Sequence, residues 1–474
     1  MGGLDSTTQA LALRLARSPN DPDALRALER YRSDPELCAA ILSNAAHITS
    51  EGPVASHWLS EAAASFIEMD NDRQAAVLLK EAIERDPTNE LASHRFEDLC
   101  LAKKKFRALV TVIERRASDL EQLGQAAPPM RALAARVWTR LGDLYATRND
   151  TSLALEAFEK AIATGSPPVG ACREARHIHR DRAEIARALE IAAIEAELLE
   201  TDEERITLLR EEATMRLDIG DKTGATRALR KALELDDGDL AVAEELGTVL
   251  LERIKSGLAS EGERLEAAAL FSMLGDAYGD EEGLAHYQSA LDCDPACDRA
   301  LTGMLGRQVA MLELSDRVRK YLQRRPDGPS APLARIKLAP HLEAMGKRTE
   351  AIAMLEPCLA VTTGDEHAAV TSALERLYAE TDQWEELAQL VLKRPPEAHA
   401  DGALAPARER GRALFELARK AHERGQSAAA ARIEEMVLEI EPAHEQALAT
   451  ALKRLRSAGA PDALAAALAR AAEA

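Results

Sequence analysis

Residues 136–162 read RVWTRLGDLYATRNDTSLALEAFEKAI, and the spacing of their bulky and small residues recurs along the chain. Counted from Trp138, steps of 3, 4, 7, 16, 20 and 23 residues reach Leu141, Gly142, Tyr145, Ala154, Phe158 and Ala161, with Pro167 just beyond. The first group lies on one face at helical spacing and so does the second, which predicts two amphipathic helices. The polar break between them, containing Asn149, predicts a turn that folds one helix back on the other. Small residues at the crossing let the two axes approach, and the bulky ones fill the groove to the next hairpin. A single hairpin cannot bury its own apolar face, so the pattern commits the chain to a stack of hairpins.

Leu59, Ala63, Phe66, Ala75, Leu79, Ala82 and Pro87 keep every step of this template. Leu209, Ala213, Gly220, Ala225, Leu229 and Ala232 keep most of it. So do Leu338, Ala339, Leu342, Gly346, Ala351 and Leu355, with Cys358 at a small-residue position. Leu414, Leu417, Ala418, Gly425, Ala430 and Pro442 form a late copy, with Glu434 where an apolar residue is expected. Phe271, Leu274, Gly275 and Tyr278 make a good first helix whose second (Tyr287, Ala290) arrives four residues early. The equivalent small position falls at Ala75, Ala154, Ala225, Gly283, Ala351 and Ala430, at intervals of 79, 71, 58, 68 and 79 residues. Each interval spans about two units of roughly 34 residues. Divergent hairpins lie between the clear ones, and two are alike: KFRALVTVIERR (105–116) and QWEELAQLVLKR (383–394).

The Trp, Leu-Gly, Tyr, Ala, Phe, Ala pattern resembles the tetratricopeptide repeat. That resemblance implies an all-α, right-handed superhelical solenoid of antiparallel hairpins, here of roughly two dozen helices with no strands. Helix formers dominate the composition, in agreement, and aromatics are only 3%. Residues 1–323 and 333–474 are expected as two arrays, continuous across the loop RRPDGPSAP (324–332). A looser loop, RPPEAHADGALAP, spans 394–406. The last residues, PDALAAALARAAEA, are expected to leave an apolar face for a partner, a second copy or further chain to cover.

The formal charge of −20 repels a polyanion, which disfavours general nucleic-acid binding. It is unevenly spread. Glu190–Glu245 holds 17 acidic and 7 basic residues, whereas Arg95–Arg116 holds 7 basic and 3 acidic. Both stretches read as solvated helix faces or docking patches, and the acidic one would suit a basic peptide or protein surface. Six dispersed cysteines point to a reducing compartment. No membrane span is expected, since no run of about 18 apolar residues occurs. The chain reads as cytoplasmic, and its alanine- and arginine-rich composition as bacterial. MGGLDS at the start fits the loose lipidation pattern by coincidence.

Neither a phosphate-binding glycine loop, nor HExxH, nor G-x-S-x-G occurs, and no cofactor or metal is expected. In CREARHIHRDR (172–182), His177 and His179 fall on different faces of a helix, so a surface helix is expected there rather than a metal site. In DCDPACD (292–298), Cys293 and Cys297 straddle a hairpin exit, which accounts for the Asp-Pro pair without a redox role. The expected function is a noncatalytic protein–protein interaction scaffold. The alternative is a regulatory sensor whose superhelix responds to a peptide or small ligand and controls a partner.

The resemblance also implies a concave groove, lined by the first helix of each hairpin, that holds a peptide or a partner's helix. Outward first-helix positions make Arg136, Arg140, Asp143, Arg210, Lys337, Arg412 and Arg419 the candidate groove residues. Some relatives grip a C-terminal carboxylate at such positions. Here His57, Ser60, Glu61 and Ala64 lack that pattern, so no such grip is expected.

Overall fold

The structure, a computed structural model, describes residues 5–307, 311–393, 405–457, 459 and 461–473. The first four residues of the lipidation-like MGGLDS, and most of loop 394–406, lie outside these. Every regular element among the described residues is helical, with twenty-six α-helices and one short 3-10 turn. Packing divides the chain into two units, Met1–Asp239 and Leu240–Ala474. Loop 324–332 falls inside the second unit, where Ser330 donates its amide to the Asp298 carboxylate at 3.2 Å and its hydroxyl meets that of Thr302 at 2.8 Å.

The first unit opens with α1 (Ser6–Arg17), α2 (Pro22–Glu29), α3 (Pro35–Ile48), α4 (Gly52–Glu68) and α5 (Asp72–Arg85). It continues through α6 (Glu90–Ala102), α7 (Phe106–Gly124), α8 (Pro128–Ala146) and α9 (Thr151–Ala163). It ends with α10 (Val169–Asp181), α11 (Ile185–Leu198), α12 (Asp202–Asp218) and α13 (Lys222–Leu235). The second unit begins with α14 (Leu240–Lys255), α15 (Glu261–Ala277), α16 (Asp280–Cys293), α17 (Asp298–Leu305) and α18 (Met311–Arg324). Next come α19 (Ala331–Ala344), α20 (Arg348–Leu355), the 3-10 turn (Glu356–Ala360), α21 (Gly364–Glu380) and α22 (Trp384–Lys393). The unit closes with α23 (Ala405–Glu423), α24 (Ser427–Ile440), α25 (Glu445–Ser457) and α26 (Pro461–Glu473).

Within each unit, the substantial contacts join helices one or two places apart in the chain, which is the packing of a one-dimensional stack. All six positions of the repeating small residue are buried. Gly142 shows why the crossing needs them. A Cβ there would stand 2.6 Å from Cδ1 of Phe158, which is itself fully buried. Gly275 has the same relation to Tyr287, again at 2.6 Å.

The breaks between the two helices of a clear hairpin use one backbone device. Asp70, Asn149, Gly220, Gly346 and Gly425 all have φ between 55° and 80°, the left-handed turn that ends the first helix. The shortened copy dispenses with it. Between α15 and α16, Tyr278 (φ −88°) and Gly279 (φ −67°) pass straight from one helix into the next. The two divergent hairpins judged alike share the device too. Lys104 (φ 56°) and Asp382 (φ 57°) each stand two residues before the aromatic that opens a helix, Phe106 or Trp384. Ala183 (φ 59°), two residues before Ile185 at the start of α11, is a third member. Glu434, at an expected apolar position, is tolerated because Arg454 reaches it at 2.8 Å.

Candidate functional site

The first helices α6 and α8 flank a cleft of about 630 Å³ whose floor is contributed by α7. Ile113, Leu133 and Val137 supply its apolar wall, and all three are buried. Its rim is ionic. Arg136 Nη2 donates to Glu90 Oε1 at 3.1 Å, and Arg140 Nε donates to Glu97 Oε1 at 2.7 Å. Each pair bridges successive hairpins, because the first helices of a stack run side by side. The Arg136 pair is well exposed, with its side chains 64% and 54% accessible, whereas Glu97 is largely covered. Asp143, one turn beyond Arg140, has its carboxyl pushed up by burial, against the pull of Arg140.

Beneath the rim lies Arg116, 7% exposed. Its Nε donates to the Pro87 carbonyl at 2.8 Å and its Nη1 to the Ser93 hydroxyl at 2.7 Å. Its Nη2 is buried without a hydrogen-bond partner. Burial lowers the pKa of this guanidinium against the pull of Glu90, and the neighbouring Arg136 charge lowers it further. The rest of the basic stretch behaves differently. Arg95 pairs with Glu61 (3.0 Å), Lys103 with Asp72 (2.5 Å) and Arg115 with Glu84 (3.3 Å), so half of its other six charges are spent on the preceding hairpin α4–α5.

A second cleft of about 630 Å³ lies between α12 and the end of α13. Asp202, Glu203, Asp236 and Asp239 line it together with Arg210. Of the sequence candidates, the structure therefore brings Arg136 and Arg140 to one groove with Asp143 one turn away, and places Arg210 in another. Lys337, Arg412 and Arg419 belong to the second unit. Lys337 and Arg412 are exposed there, and Arg419 pairs with Glu416 on its own helix at 2.7 Å. Arg116, Glu90, Ser93 and Glu97 were not among the candidates, because they sit in a divergent hairpin where the template gives no register.

The histidine-rich helix α10 departs from the surface helix expected of it. His179 is only 5% exposed, with Nδ1 2.6 Å from Glu184 and Nε2 3.2 Å from Glu159. Arg176 is enclosed as well, donating to Glu195 at 2.7 Å and bonding Glu211. Ala171, Cys172 and Ala175 form the buried face of α10, and the partnered Arg176 and His179 extend it. Cys172 is fully buried, and burial pushes its thiol up to about 11. Cys293 is buried too, its thiol likewise pushed up to about 11 by burial, and Cys297 lies 3.3 Å from the Ser272 hydroxyl. Thiols held protonated in this way are poor nucleophiles.

One family model falls on the template hairpin. The family model of the tetratricopeptide repeat matches residues 135–163, the span of α8 and α9 that sets the template. No curated protein matches the chain. Among solved structures, the chain is similar to that of Naa15/Naa10 bound to HypK-THB, at 14% identity over 98% of this chain and 79% of that one, with a TM-score of 0.30. A tetratricopeptide repeat protein from Parabacteroides merdae matches at 12% identity, over 68% of this chain and 98% of that one, with a TM-score of 0.26. Yeast Tom70 matches at 14% identity, over 82% and 99%, with a TM-score of 0.22.

Proposed function

We propose that this chain, a tetratricopeptide-family helical repeat protein, is a noncatalytic scaffold that holds an extended segment of a partner protein in the groove between α6 and α8. The observation that carries the reading is the make-up of that groove. Apolar side chains form the wall, exposed ion pairs form the rim, and the cleft lies open along the helices. Such a surface suits a peptide, which needs apolar contact along its length and polar contacts at intervals. The second cleft, with its four acidic residues, suits a basic part of the same partner, and that contact should weaken as salt screens it. Among the described residues no helix is long and apolar enough to cross a membrane. The six unpaired cysteines fit work in the reducing cytoplasm.

Photo-crosslinking tests the reading. Benzoylphenylalanine placed at Arg136 or Arg140 should trap one and the same partner in native lysate. Placed at Val77 or Leu153, which are exposed on the second helices α5 and α9, it should trap none. Equal labelling from all four positions, or none from the groove, would refute the scaffold reading.

A further inference from the structure

The floor of the α6–α8 groove holds a buried guanidinium, Arg116, whose charge Glu90, Asp86 and Glu97 favour across space without hydrogen-bonding to it. Both acceptors used by Arg116, the Pro87 carbonyl and the Ser93 hydroxyl, are neutral. Glu90 and Glu97, which line the groove, make their ion pairs with Arg136 and Arg140 rather than with Arg116. Removing a guanidinium from water is costly, and leaving one of its donors unmade adds to that cost. A single carboxylate arriving at Nη2 would complete its hydrogen bonds and place a negative charge in direct contact with it.

We propose that Arg116 anchors the side-chain carboxylate of an aspartate or glutamate in the partner segment, with Arg136 as a second cation at the rim. This rests on the scaffold reading and names the chemistry of what the groove receives. A carboxylate fits better than a phosphate, because Glu90, Glu97 and Asp98 line the same cleft and repel a dianion more strongly. A peptide side chain fits better than a free small acid, because Ile113, Leu133 and Val137 offer apolar contact to the methylenes and the neighbouring residues. Entry requires the Arg136–Glu90 pair to open. Both its side chains are more than half exposed, so the pair contributes little and opens readily.

The test uses the full chain and two fluorescein-labelled, capped decapeptides, one alternating Glu with Leu and the other Gln with Leu. Anisotropy titration should show the Glu peptide binding at least 10-fold more tightly than the Gln peptide. In Arg116→Met that ratio should fall to about one. In Arg116→Lys, which keeps the charge but lacks Nη2, it should fall part of the way, and this variant decides the matter if Arg116→Met fails to fold. The idea is overturned if the Glu peptide does not bind at millimolar concentration, if the two peptides bind wild type equally, or if the ratio survives in both variants. Displacement of the Glu peptide by equimolar inorganic phosphate would also overturn it, in favour of a phosphate site. Failure here alongside successful crosslinking from Arg136 would remove the anchor and leave the scaffold.

Discussion

Gly142 has a hydrogen where any other residue would drive a carbon into the Phe158 ring. Because Phe158 is fully buried, the ring has no free space to turn into. Gly142→Ala should therefore cost about 1–3 kcal/mol by overpacking, and Gly142→Leu should cost more. Chemical denaturation measures it, followed by the fluorescence of Trp138 beside this crossing in a chain carrying Trp58→Phe and Trp384→Phe. Adding Phe158→Leu should recover part of the loss in Gly142→Ala, since it vacates the contested volume. A neutral Gly142→Ala would show that the crossing is looser than drawn. Residues of this kind were legible in the sequence, because a packing constraint repeated at fixed intervals leaves a periodic trace. Arg116 was not legible. It shares its stretch with six other basic residues, and only the fold reveals that Arg95, Lys103 and Arg115 are paired while Arg116 has a donor left over. The same holds for His179, whose ring nitrogens meet Glu184 just beyond its own helix and Glu159 from α9.

At the scale of the element, the clear hairpins other than α15–α16, and the divergent ones at Lys104, Ala183 and Asp382, are closed by a residue in the left-handed region, but the residue chosen varies. Glycine does this at no steric cost, and asparagine at little. Ala183, between α10 and α11, does it with a Cβ and no side-chain hydrogen bond in return. Ala183→Gly should accordingly stabilise the protein by about 0.5–1 kcal/mol, the relief of the left-handed strain less the added freedom of glycine in the unfolded chain. The denaturation midpoint should rise with an unchanged slope, and a fall would mean that the turn is held by contacts of the Ala183 methyl. The clear hairpins were readable from the sequence because Gly, Asn or Asp marks their turns. The α10–α11 hairpin was not, since RAEIARAL carries neither a turn residue nor an aromatic and only the backbone angle relates it to KFRALVTV and WEELAQLV. Shortening between α15 and α16 was visible in the count of residues, although its means, an extended link in place of a left-handed one, was not.

For the whole molecule, the decisive property is that contact is local along the chain. Each helix packs substantially on helices one or two places away, so stability is a sum of hairpin terms and neighbour terms. A disturbance should then fade with distance along the stack. Gly142→Ala loosens the contact of α8 with α9 directly, and α8 also packs on α7 and α10. Hydrogen exchange measured by mass spectrometry should show faster exchange across α7–α10, a smaller change at α6 and α11, and none in α19–α24 of the second unit. Uniform acceleration over both units would mean that the chain unfolds as one cooperative body, and the nearest-neighbour description would have to be abandoned. The same locality bears on the groove. Its two walls are first helices from successive hairpins, α6 and α8, so loosening α8 should widen the cleft without unfolding the α3–α5 stack beneath it. Gly142→Ala should therefore weaken crosslinking from Arg136 and Arg140 more than it lowers the denaturation midpoint would suggest, whereas Ala183→Gly, outside the walls, should leave crosslinking unchanged. Parallel measurement of the two variants separates damage to the groove from loss of stability in general.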